Sequence, residues 1–145
     1  MSTIQQIEDG PIAARICALA DLLDEFHEAV SRGSMTARGR RAPEGRRFLG
    51  TMRRMVTCLR QSGGSACMLY EGSYPMSRAL CALAVFSLHP ENARLFRRPH
   101  GVRCDIGADL AHFARQARRI EIDLGVPEAF DYQRARASIP HRCGR

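Results

Sequence analysis

The 145-residue sequence predicts an all-α fold, a compact bundle of five to six helices. Three observations carry this. Ile12, Ile16, Leu19, Leu23, Phe26 and Val30 recur at spacings of 4-3-4-3-4, and so do Ile106, Leu110, Phe113, Ala117, Ile120 and Leu124. Each series is the narrow apolar seam of an amphipathic helix. Between them, Pro75 to Leu88 is apolar nearly all round, which predicts a helix at the centre of a domain. Finally, no run alternates with period two for long enough to make a strand, so the seams pack as a helical bundle.

Boundary residues justify each element in turn. A short turn over 3–8 precedes a helix from Pro11 to about Arg32, since proline suits the first helical position. Gly33 to Ala42 is rich in Gly and Arg, lacks apolar periodicity, and is expected to be a linker. Pro43 opens a second helix to about Gln61, ended by Ser62-Gly63-Gly64-Ser65. Residues 66–74 suit either a short helix or an extended turn. Pro75 starts the apolar helix and His89-Pro90 stops it, with a short helix to about Arg97. Asp105 is an N-cap and Gly125 a C-cap for the helix between them. Pro127 begins a last helix to about Ala137. The expected organisation is one domain over 1–137 and a flexible tail over 138–145. Leu19, Leu23, Phe26, Leu80, Leu83, Phe86, Leu110 and Phe113 are the expected shared core.

Composition narrows the class. Hydrophobic residues make up 45% and charged residues 26%, which excludes a wholly disordered chain. The near-continuous apolar run Ala79 to Leu88 is too short for a membrane helix. Met1 to Gly10 has no basic segment of the kind that opens a secretory signal, so a reducing, cytoplasmic setting is expected. Cys17, Cys58 and Cys81 fall inside helical patterns and read as small buried hydrophobes, with free thiols throughout.

All 22 basic residues are arginine. A GC-rich coding sequence accounts for the choice of Arg over Lys, but not for where the charges lie. Residues 1–31 carry a net −5, residues 32–60 a net +8, and the whole chain +7. A basic block within a folded domain suits a polyanion. Plotted at about 100° per residue, Arg46, Arg53 and Arg60 fall within about 40° of one another, with Arg47 and Arg54 beside them. Phe48, Leu49, Met52, Met55, Val56 and Leu59 take the other side. Like charges at this spacing repel, and a counter-anion relieves the repulsion. That anion is a nucleic-acid phosphate, an anionic membrane, or the acidic first helix of the same chain. Aromatic interleaving is sparse, so contact to phosphate backbone is favoured over base stacking. Arg97, Arg98 and Arg103 are candidate assistants.

Other chemistry is poorly supported. His89, His100, Cys104 and His112 lack the paired short spacings of zinc sites, so neither a metal nor a cofactor is expected. Ser62-Gly63-Gly64-Ser65 follows a helix and lacks the lysine of a phosphate-binding loop. No nucleophile elbow or kinase signature is present, and no enzymatic activity is expected.

The order of features over about 53–116 resembles a known family. Cys58-Leu59-Arg60-Gln61-Ser62-Gly63-Gly64 leads to an apolar helix ending Ala84-Val85-Phe86-Ser87-Leu88-His89-Pro90. The basic loop Arg97-Arg98-Pro99-His100-Gly101 follows, then Asp105-Ile106-Gly107-Ala108-Asp109-Leu110. This is similar to the small all-helical subunit of the type I-E CRISPR surveillance complex, Cascade. Arg118-Arg119 is followed by Ile120, where that family carries an aromatic residue. The resemblance implies a non-catalytic subunit that lies along guide RNA and target DNA among other protein subunits and has a role in antiviral defence. Guide pairing would read sequence while protein cations hold backbone. The alternative expectation is a helical adaptor without a nucleic-acid role, whose seams form a protein interface; a homodimer is among the partners it allows.

Overall fold

The computed structural model describes residues 11–61, 69–97 and 105–126, and these form an all-α bundle. Helix α1 spans Ile12–Ala29 and runs into a π-helical turn, Val30–Ser34. Helix α2 is the short Ala37–Arg41, and α3 is Pro43–Gln61. Strands β1 (Tyr70–Glu71) and β2 (Tyr74–Pro75) pair antiparallel, Tyr70 opposite Pro75 and Glu71 opposite Tyr74. Helix α4 is Met76–Leu88, a 3-10 helix covers Pro90–Leu95, and α5 is Ile106–Asp123. Gly72, with φ +64°, makes the tight turn between the strands. This hairpin is the one sheet among the described residues, where the sequence predicts none; two residues per strand are too few to leave a periodic signal.

The packing follows the seams. Helix α4 lies against α5, and α1 lies against α3 and α5. Ile16, Leu19, Leu23 and Val30 of the first seam are buried, as are Leu110, Phe113, Ala117 and Ile120 of the second. Phe26 meets Phe113 edge-on at 5.3 Å between ring centroids, which ties α1 to α5. Arg15 of α1 reaches Asp123 at 2.6 Å along the same contact. From α3 the core takes Phe48, Met52, Met55, Val56 and Leu59.

The N-terminus of α4 has no side-chain cap of its own. Its capping group comes from α5. Glu121 is fully buried; its carboxylate accepts from the Ser77 backbone N–H at 2.8 Å and from Ser77 Oγ at 2.5 Å. A carboxylate at a helix N-terminus satisfies an orphan donor and opposes the helix dipole. Arg118 donates to the same carboxylate at 3.3 Å. Burial is the dominant influence and raises the Glu121 pKa above its ordinary value.

Several expectations need correction. Residues 33–42 are not a plain linker: they hold the end of the π turn, Met35 with no exposed surface, and α2. Thr36 caps α2 by accepting from Gly39 N–H at 2.8 Å. The segment is pinned to residues far along the chain, with Thr36 N–H donating to Leu95 O at 3.0 Å and Arg97 N–H to Ser34 O at 2.6 Å. Helix α4 is not buried all round. Val85 and Leu88 are 66% and 65% exposed, because α5 covers one flank and leaves the outer face open. Phe86 is half-buried rather than central, stacked on Phe48 at 5.4 Å, and Phe26 is likewise half-buried. Cys17 and Cys81 are exposed and Cys58 is half-buried, since each sits beside the apolar stripe of its helix and not within it. All three are free thiols. The turn expected over 3–8, the helix from Pro127 to Ala137 and the tail lie outside the described residues.

Candidate nucleic-acid interface

Helix α3 builds the site. Pro43 opens it, Glu44 sits in its first turn, and its buried residues lie on one side. Its surface is therefore left to the residues at the intervening positions. Arg46, Arg47, Arg53, Arg54 and Arg60 are all exposed. The structure thus brings the five predicted side chains to one solvent-facing surface of a single helix. The packing of α1 on α3 gives that surface its border.

Their partners divide the five. Arg60 donates to Asp21 and Asp24 of α1 at 3.2 and 3.1 Å. Those hydrogen bonds raise its pKa further. Arg54 donates to Glu71 of β1 at 3.1 Å and to Thr51 at 3.0 Å. Arg46, Arg47 and Arg53 form no ion pair among the described residues, although the Arg47 charge helps to lower the pKa of Glu44. The acidic helix α1 therefore neutralises Arg60 and leaves Arg46, Arg47 and Arg53 outside any ion pair among the described residues. Exposed pairs of this kind are screened by solvent and hold little energy, so Arg54 and Arg60 can exchange partners readily.

His27 reports on this border. It is buried on α1, and burial is the main cause of its lowered pKa, with the positive charge of Arg53 acting in the same direction. Glu28, Asp24 and a hydrogen bond to the Leu49 backbone oppose both.

The neighbouring cations extend the basic surface unevenly. Arg38 and Arg41 of α2 are exposed, whereas Arg40 is spent on structure, donating to the carbonyls of Ser31 at 2.9 Å and Met35 at 3.1 Å. Arg97 is exposed just beyond the 3-10 helix. Arg98 and Arg103 lie outside the described residues. Sequence reasoning missed Arg94, which pairs with Glu44, and Glu71, which holds Arg54. Neither contact has a local signature, because the partners lie 50 and 17 residues apart. Among the described residues no group of three His, Cys, Asp or Glu side chains could hold a metal ion. His100 and Cys104 lie outside that set. No helix among the described residues is long and apolar enough to cross a membrane. No protein-family model, curated protein or solved structure matches this chain.

Proposed function

We propose that this protein is a non-catalytic subunit that binds the phosphate backbone of nucleic acid through the arginine face of α3. The observation that carries the proposal is that Arg46, Arg47 and Arg53 are exposed on one helix and form no ion pair among the described residues. A helix surface of like charge attracts counter-anions, and bound phosphates accept charge-assisted hydrogen bonds from guanidinium groups. Arg54 and Arg60 flank them, and Arg97, with Arg98 and Arg103 of the following basic stretch, assists. The more specific form of the proposal is a small subunit of a CRISPR surveillance complex, supported by the resemblance over about 53–116. An intracellular setting belongs to the same proposal.

Fluorescence anisotropy with labelled single-stranded and duplex probes of unrelated sequence tests it. Binding should be nearly independent of sequence, and the triple change Arg46→Ala, Arg47→Ala, Arg53→Ala should weaken it by about 150-fold, at roughly 1 kcal/mol per contact. Absence of binding to every probe would overturn the proposal. The adaptor reading loses the seams as its interface, since they are buried in the core, and draws instead on the open outer face of α4 with Val85 and Leu88. It takes the lead if the probes fail.

A further inference from the structure

Besides the arginine face, a groove of about 470 Å³ lies between α3 and α4, with the β1–β2 hairpin beside it. Small-molecule sites commonly measure roughly 300–1,000 Å³ and combine an apolar lining with a few charged groups. This groove has that make-up. Phe48, Ala79, Ala82, Leu83 and Phe86 give it an apolar wall. Its charged lining consists of Glu44, Glu71, Arg47 and Arg78.

The ion pairs decide its net character. Glu44 is held by Arg94, and Glu71 by Arg54, so both carboxylates are already neutralised. Arg47 and Arg78 form no ion pair among the described residues, although the Arg47 charge is felt by Glu44 and helps to lower its pKa. The Arg78 guanidinium instead lies over the Tyr74 ring, 5.5 Å from its centroid, which holds it at the groove. What remains uncompensated is an apolar trough with two cations.

The geometry points to a binding site for a small amphipathic anion: an aliphatic or aromatic body lies along Phe48, Leu83 and Phe86, and one carboxylate or sulfonate is held by Arg47 and Arg78. Charge complementarity selects the anionic head. A neutral ligand of the same shape leaves both guanidinium groups unanswered, and a cationic one is repelled. The site is separate from the proposed backbone contact except at Arg47, and Arg78 belongs to it alone.

Titration with 8-anilinonaphthalene-1-sulfonate, an aromatic sulfonate whose fluorescence rises in apolar surroundings, tests the assignment. One dye should bind per chain and saturate. Octanoate should displace it, and 1-octanol should do so at least about fivefold less well, since it lacks the charge. Arg78→Ala should weaken the dye about tenfold, while nucleic-acid binding by the same variant stays as in the parent protein. Ala82 is exposed, so Ala82→Trp should fill the groove and abolish binding with the circular dichroism unchanged. If Ala82→Trp perturbs the fold, Ala82→Glu serves instead, because a carboxylate there engages the two arginines and excludes the dye. Failure of the dye to bind, binding without saturation, dye binding that survives the Ala82 changes, or equal displacement by octanol and octanoate would overturn the site.

Discussion

Gly39 is buried where α2 crosses the 3-10 helix, and a Cβ at this position would lie 2.2 Å from the Leu95 carbonyl oxygen. The obstruction is backbone, which cannot swing aside as a side chain can. Gly39→Ala is therefore expected to lower unfolding stability by roughly 1–3 kcal/mol, the usual cost of overpacking, as measured by denaturant unfolding. A change below about 0.5 kcal/mol would mean that α2 and the 3-10 helix are not held together as described. Glu121 gives a second test at this scale. Burial raises its pKa, so the folded chain holds this proton to higher pH than the unfolded chain does. The stabilising effect of that proton is complete below the unfolded value and is lost as pH rises through the raised folded value. The stability of the wild type relative to Glu121→Gln should accordingly decline as pH rises through this window. A difference that grows with pH would contradict the burial. Neither residue was legible in the sequence. Gly39 read as a linker residue and Glu121 drew no reading, because the groups that make them special, Leu95 and Ser77, are distant in the chain.

At the level of elements, boundaries were far more legible than surfaces. Pro43, Asp105 and Gly125 act on their own neighbours. Helix α3 begins at Pro43, and the Asp105 side chain accepts from Ala108 N–H at 2.9 Å. Gly125 takes a φ of +77° just past α5. Exposure is a different matter. The composition of α4 predicts complete burial, but which flanks are covered depends on where the other helices fall. Val85 and Cys81 remain outside for that reason. Phe86 shares its ring contact with Phe48 while keeping some exposure, so Phe86→Ala is expected to cost about 2 kcal/mol, below the roughly 3–5 kcal/mol of a fully buried phenylalanine. Thermal or denaturant unfolding checks this, and a loss above about 4 kcal/mol would place the ring deeper than the packing does. The α1–α3 border carries its own reporter. The Arg53 charge lowers the His27 pKa, so a phosphate held at Arg53 should raise it. The NMR titration of His27 should shift upward when a short oligonucleotide is added, and also in Arg53→Ala. No movement in either case would separate His27 from the charged face.

Across the whole molecule, the uneven charge of the sequence survives folding only in part. The first 31 residues and the following 29 carry opposite net charges, and mutual neutralisation was the strongest rival to polyanion binding. Folding does bring them together, but only through Arg60 with Asp21 and Asp24 among the described ion pairs, while Arg32 pairs locally with Glu28 and Arg46, Arg47 and Arg53 stay exposed. Helical periodicity was enough to place the five arginines on one face. It could not say which of them α1 and the hairpin would engage, since those contacts depend on tertiary packing. The measurement that tests the central claim most directly is the salt dependence of nucleic-acid affinity. Each phosphate neutralised releases condensed counterions, so log Kd should rise with log salt at about 0.7–0.9 per contact. Three to five engaged arginines predict a slope of roughly 2–5, and Arg46→Ala with Arg53→Ala should reduce it by about 2 for every probe sequence while leaving the melting temperature unchanged. A slope near zero, or the same slope in the double variant, would contradict the account.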